Sequence, residues 1–131
     1  MNAHFNNRDP VYLQVIRSFK EQIATGKLQP GQDIPSRREL AGLMGINPNT
    51  AQRAYKEMEE QGLIHTERNF PSKITTDEAV LSAVREELIN EAIEAFVASV
   101  HSINLSLDEV LTRVKEKFCE GAEAEQEGDH D

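Results

Sequence analysis

Ser36-Arg37-Arg38-Glu39-Leu40-Ala41-Gly42-Leu43-Met44-Gly45-Ile46-Asn47-Pro48-Asn49-Thr50-Ala51-Gln52-Arg53-Ala54-Tyr55 is the stretch that decides the fold. Ser36 followed by Glu39 has the spacing of a capping box, in which each side chain satisfies a free amide of the other's turn. Leu40, Leu43 and Met44 supply an apolar face, and Gly45 ends the helix. Asn47-Pro48 then combines an N-cap with a proline at the first helical position. Ala51, Ala54, Tyr55 and Met58 recur at helical spacing as far as Gly62. Two helices joined through Gly45-Ile46-Asn47 alone have the short connection of a helix-turn-helix.

Upstream, Asp9-Pro10 has the form of an N-cap and N1 proline for a helix carrying Val11, Val15, Ile16, Phe19 and Ile23, closed by Gly26. Pro30-Gly31 makes a turn, after which Ile34 fits a very short strand. Downstream, Leu63-Ile64 and Lys73-Ile74-Thr75 predict the two strands of a hairpin. Residues 1–76 therefore form an N-terminal winged helix-turn-helix, mainly α with a small β hairpin.

From Asp77 to about Ser102 the apolar residues keep helical spacing, and Asn104 suits a left-handed terminus. Ser106 and Glu109 repeat the capping-box spacing before a second helix that reaches Phe118. Val84, Leu88, Ile89, Ile93, Phe96, Val97 and Val100 mark the first stripe; Leu107, Val110, Leu111, Val114 and Phe118 mark the second. A small domain alone does not cover so long a stripe, so residues 77–118 are expected to be a two-helix dimerisation segment pairing with a second copy; the alternative is a monomer whose rear helices fold back on their own domain. Residues 119–131 contain six acids and no Lys or Arg, the composition of a disordered tail.

The chain has 131 residues and a formal charge of −9. That length excludes a barrel enzyme or a full doubly wound fold. One cysteine, Cys119, excludes an internal disulfide and a cysteine-based zinc cage. The four histidines are scattered without metal-ligand spacing, and no phosphate loop or nucleophile arrangement occurs; neither a cofactor, a metal nor an enzyme activity is expected. The N-terminus lacks the features of a secretory signal and no stretch suits a membrane span, so a cytoplasmic protein without a membrane partner is expected. The net charge argues against nucleic acid only until it is divided. Residues 1–76 hold ten Lys/Arg against eight acids, whereas residues 77–131 hold four against fifteen.

At about 100° per residue, Ala51, Ala54, Tyr55 and Met58 fall on one side of the third helix. Asn49, Arg53 and Lys56 fall on the other, flanked by Thr50 and Gln52. This outer face is rich in donors, and its acids come late, at Glu57, Glu59 and Glu60. Asn and Gln suit adenine and Arg suits guanine in the major groove. Ser36, Arg37 and Arg38 begin a helix, where free amides and guanidinium groups favour phosphate.

Pro10-Val11-Tyr12-Leu13-Gln14, Gly26 through Gly31, Ile34 through Ala41, Gly45 through Thr50, Arg53-Ala54-Tyr55 through Glu59 and Gly62-Leu63-Ile64 together resemble the winged helix of the GntR family of bacterial transcription regulators. The Asn-Pro-Asn-Thr helix start and a rear part of only two helices are similar to its YtrA subfamily. The resemblance implies a homodimeric repressor on inverted-repeat double-stranded DNA, commonly controlling operons for ABC transporters. It assigns DNA contacts to Ser36, Arg37, Arg38, Asn47, Asn49, Thr50 and Gln52; the helical projection adds Arg53 and Lys56. Arg68 and Lys73 are placed to reach phosphates from the wing. The family's wing glycines are absent from Thr66 through Lys73, which leaves groove insertion open. No residue pattern specifies a small-molecule effector. The alternative is a winged-helix adaptor that binds protein and no DNA, which the acidic rear part and the glycine-free wing would suit.

Overall fold

The structure is a computed structural model that describes residues 4–128. Its elements are α1 (Val11–Ala24), α2 (Arg37–Met44), α3 (Pro48–Glu60), β1 (Ile64–His65), β2 (Lys73–Ile74), α4 (Glu78–Ser102) and α5 (Leu107–Gly128). Helical spacing in the sequence translates directly into the packed faces. Val15, Ile16, Phe19 and Ile23 of α1 meet Leu40 and Ala41 of α2 and Ala51, Ala54, Tyr55 and Met58 of α3 in one buried cluster. Leu43, expected on the inner face of α2, is instead 56% exposed, because α2 is only eight residues long and buries Leu40 and Ala41.

The helix starts follow local chemistry. Ser36 Oγ accepts from the Glu39 N–H (3.1 Å), and Asn47 Oδ1 accepts from the Asn49 N–H (2.8 Å). Gly45 ends α2 at φ 65° and turns the chain toward Asn47. The start of α1 departs from expectation: Pro10 is itself the N-cap residue, with extended ψ, and Asp9 does not cap. Gln14 holds this segment instead, donating to the carbonyls of Asn6 (3.1 Å) and Asp9 (2.8 Å).

The wing is a two-stranded antiparallel sheet pairing Ile64 with Ile74 and His65 with Lys73. The outer edge of β2 is closed by residues 31–34. Gly31 and Ile34 donate to the carbonyls of Ile74 and Ser72, and Ile74 donates to Gln32 (each 2.9 Å). The isolated bridge forms at Asp33, opposite Lys73, one residue before Ile34, where the sequence suggested a strand; Ile34 is buried beside it. At the tip, Asn69 adopts φ 69°, the left-handed conformation that glycine would otherwise supply.

Tyr55 is fully buried, edge-on to Phe19 with ring centroids 6.1 Å apart, and its hydroxyl donates to the Pro35 carbonyl. Burial pushes the phenol well above its ordinary range; the Arg37 guanidinium opposes that rise and Glu39 adds to it. The folded state therefore keeps the proton where the unfolded chain loses it, near pH ~10. Stability is full below that pH and falls as pH rises above it. Tyr55→Phe should remove this alkaline loss and leave the Pro35 carbonyl unpaired, costing about 1–3 kcal/mol at neutral pH. Urea midpoints measured at pH 7 and pH 10.5 check both effects.

The chain divides into two compact units, Met1–Ile89 and Asn90–Asp131, with the boundary inside α4. The sequence reading places a boundary at residue 76, but the start of α4 packs with the winged helix. Val84 is 3% exposed in that core, and Val80, Leu81 and Leu88 lie against it. Lys20 Nζ of α1 reaches Glu87 of α4 at 3.0 Å. Val84 therefore cannot serve as a dimer contact, and Leu88 is half-covered by its own chain.

In the second unit, Asn104 takes φ 54° between α4 and α5, and Ser106 Oγ accepts from the Glu109 N–H (3.3 Å). The expected end of helix at Phe118 does not occur: α5 continues through Gly128. The acidic composition predicted a disordered tail from Cys119, but Glu, Ala and Gln are good helix formers and extend an existing helix without new nucleation. The final three residues of that expected tail lie outside the described residues.

Candidate nucleic-acid interface

The packing of α3 separates its two faces. Ala51, Ala54, Tyr55 and Met58 are inside, which turns Asn49, Gln52, Arg53 and Lys56 to solvent; Thr50 is half-buried at the edge. Asn49, Gln52 and Lys56 make no side-chain hydrogen bond or ion pair among the described residues, so their donors are available to a duplex. Asn47 differs, because its side-chain oxygen is committed to the cap; its amide N–H groups alone remain to donate.

Arg37 and Arg38 are adjacent in sequence but face different tasks. Arg38 is exposed and without a partner among the described residues, beside the free N–H groups at the start of α2. Arg37 turns inward. Its Nη2 donates to Glu59 Oε1 (3.2 Å) and its guanidinium lies 6.0 Å from the Tyr55 ring centroid. Glu59 also accepts from Thr66 Oγ1 (2.7 Å), which in turn lies 2.6 Å from Ser72 Oγ. Arg37 thus belongs to a polar cluster joining α2, the end of α3 and both sides of the wing. Ser36 keeps only its hydroxyl proton for a phosphate, since the oxygen caps α2.

On the wing, Arg68 is exposed and unpartnered among the described residues, while Lys73 Nζ is held by Asp33 at 2.7 Å. Arg53 stacks on Tyr12: its Cζ is 3.8 Å from the ring centroid, and Nη2 donates to the Tyr12 hydroxyl at 3.0 Å. Three partners are invisible in the sequence: Tyr12 for Arg53, Glu59 for Arg37 and Asp33 for Lys73. They lie 41, 22 and 40 residues away, beyond any local spacing signal.

Residues 11–74 match the bacterial regulatory proteins of the gntR family. The chain is 33% identical over 121 residues to the HTH-type transcriptional regulator YhcF of Bacillus subtilis, covering 92% of this chain and 99% of that one. It is also 33% identical over 108 residues to the HTH-type transcriptional repressor YtrA of the same organism, covering 82% and 83% of the two chains. The chain belongs to the GntR family. Within it the protein is YtrA-like, as the Asn-Pro-Asn-Thr helix start and the two rear helices imply. A GntR-family regulator from Listeria monocytogenes superposes with a TM-score of 0.79 at 28% identity, over 86% of this chain and 98% of that one. As a GntR-family member the protein is a DNA-binding transcription regulator, and the family consists of regulators rather than enzymes.

The second unit carries a different surface. Ile93, Phe96 and Val100 of α4, Leu105 of the turn, and Val110, Val114 and Phe118 of α5 line an apolar groove of about 520 Å³, bordered by Arg113 and Lys117. Val97, Leu107 and Leu111 of this unit are also exposed, as is Ile89 at the end of the first unit. Ile103, near the turn between α4 and α5, is 66% exposed. No described helix is long and apolar enough to cross a membrane.

Proposed function

We propose that this regulator is a cytoplasmic homodimeric repressor that reads an inverted-repeat operator through α3. The observation that carries the reading is the exposed side chains of Asn49, Gln52 and Lys56 on α3 and of Arg38 at the start of α2, all without a partner among the described residues. In this reading Asn49, Gln52 and Arg53 contact base edges, and Asn47 contributes its amide N–H groups. Arg38, Lys56 and Arg68 contact phosphates and provide the salt-dependent share of affinity. Ser36, Thr50 and Lys73 assist from the edges, and Arg37 acts by holding the wing rather than by touching DNA. The named repressor YtrA, among the relatives, supports repression over activation.

The apolar face of the second unit requires a cover, and a second copy is its occupant. Ile93, Phe96, Val100, Leu105, Val110, Val114 and Phe118 line one apolar groove, a surface that monomers rarely leave in water. A twofold dimer also presents two recognition helices to half-sites about one helical turn apart. Residues 77–118 supply this interface, from Ile89 onward. Control of an operon encoding an ABC transporter completes the proposal.

Selection of bound sequences from random duplex DNA tests the reading. Enrichment of an inverted repeat supports dimeric readout, and mapping that repeat in the source genome identifies the controlled operon. Absence of any enrichment would favour a protein-binding adaptor.

A further inference from the structure

A reading helix needs its side chains aimed, and Arg53 is aimed by a residue outside the helix-turn-helix. An arginine on an open helix face carries large rotamer entropy, which binding must remove. Arg53 is restrained before DNA arrives. One face of its guanidinium lies on the Tyr12 ring at 3.8 Å, Nη2 donates to the Tyr12 hydroxyl at 3.0 Å, and Nε faces Glu57 Oε1 at 3.8 Å. The side chain is still 61% exposed, and four of its five N–H groups remain without a short hydrogen bond. This is the state of a presented fork rather than a buried staple.

Tyr12 can act as a reference point because α1 is fixed at both ends of its contact with the core. Gln14 ties its start to the carbonyls of Asn6 and Asp9, and Phe19 packs edge-on to Tyr55 of α3. The Tyr12 ring is thereby held against the same helix whose arginine it carries.

We propose that Tyr12 is a positioning residue for recognition: it pre-sets Arg53 to read one guanine in each half-site. This rests on α3 being the base-reading helix. A planar fork whose orientation is set in advance loses less freedom on forming two bonds to guanine O6 and N7. The consequence is that α1, which is not part of the helix-turn-helix, controls specificity at a single base position.

The test is selection of bound duplexes with the full chain and with Arg53→Ala, Tyr12→Leu and Tyr12→Phe, followed by affinity measurement on the selected operator. Guanine preference at one symmetric position should disappear with Arg53→Ala and fade with Tyr12→Leu, while the other positions keep theirs. Tyr12→Leu should weaken operator binding about tenfold alone and have no further effect in the Arg53→Ala background. Tyr12→Phe keeps the stacking face and should lose about threefold; it also decides the matter should Tyr12→Leu fail to fold. Equal costs of Tyr12→Leu with and without Arg53, or a uniform loss at all base positions, would overturn the positioning role. An unchanged preference in Arg53→Ala, with binding still dependent on Arg38, would overturn it and leave the DNA reading standing. No enrichment by the unaltered protein would overturn both.

Discussion

Arg38→Ala is expected to weaken operator binding by at least about 100-fold while the oligomeric state and the melting temperature stay unchanged. The side chain is exposed and without a partner among the described residues, so its removal breaks nothing inside the fold. At the start of α2 it adds a full charge to the free N–H groups and the positive end of the helix dipole. A hydrogen bond to a charged group contributes roughly 1.5–3 kcal/mol, and a dimer loses two of them. The phosphate contact also releases counterions, so the slope of log affinity against log salt should fall by about 2 for the pair. Arg37→Ala offers the contrast. Its guanidinium holds Glu59, so that variant should lower stability and disturb the wing without the same change in salt slope. Fluorescence anisotropy across a salt series separates the two. Equal slopes for Arg38→Ala and the unaltered protein would show that Arg38 does not reach phosphate.

Phe96→Glu combined with Val97→Glu is expected to produce a folded monomer of 14.7 kDa. Both side chains are on the open apolar face of the second unit, at 41% and 39% exposure. In a solvated monomer the two carboxylates remain in water at little cost. In a packed dimer they would be taken out of water into a mainly apolar face, with Arg113 and Lys117 only at its border, at several kcal/mol per ion. Four such charges per dimer should raise the dissociation constant by at least about 10³-fold. The winged-helix core contains neither residue, so its unfolding should persist. Operator affinity should fall with the dimer, because each monomer then holds one half-site. Light scattering with a mobility-shift titration measures both quantities, and an unchanged assembly mass would place the interface elsewhere.

These two experiments address surfaces that differ in how far the sequence reveals them. The helix-turn-helix is legible because its signals are local. Ser36 and Asn47 cap through bonds that reach two or three residues, and the apolar spacing of α3 needs only the geometry of a helix. The glycine-free wing is less legible. Asn69 takes the left-handed conformation there, which Asn tolerates but does not announce. The end of α5 was hidden for the opposite reason: acidic composition signals weak burial, yet Glu and Ala continue a helix that already exists.

The amino-acid sequence by itself determined the order of elements, the donor-rich face of α3, the acidic rear part and the excess of apolar surface that asks for a second chain. Those properties follow from bonds and periodicities spanning a few residues. The tertiary structure alone decided which donors are free. It turned Arg37 to Glu59, laid Arg53 on Tyr12, tied Lys73 to Asp33 and withdrew Val84 into the core. Each of these depends on groups distant in sequence arriving within a few ångströms, and that proximity is a product of packing.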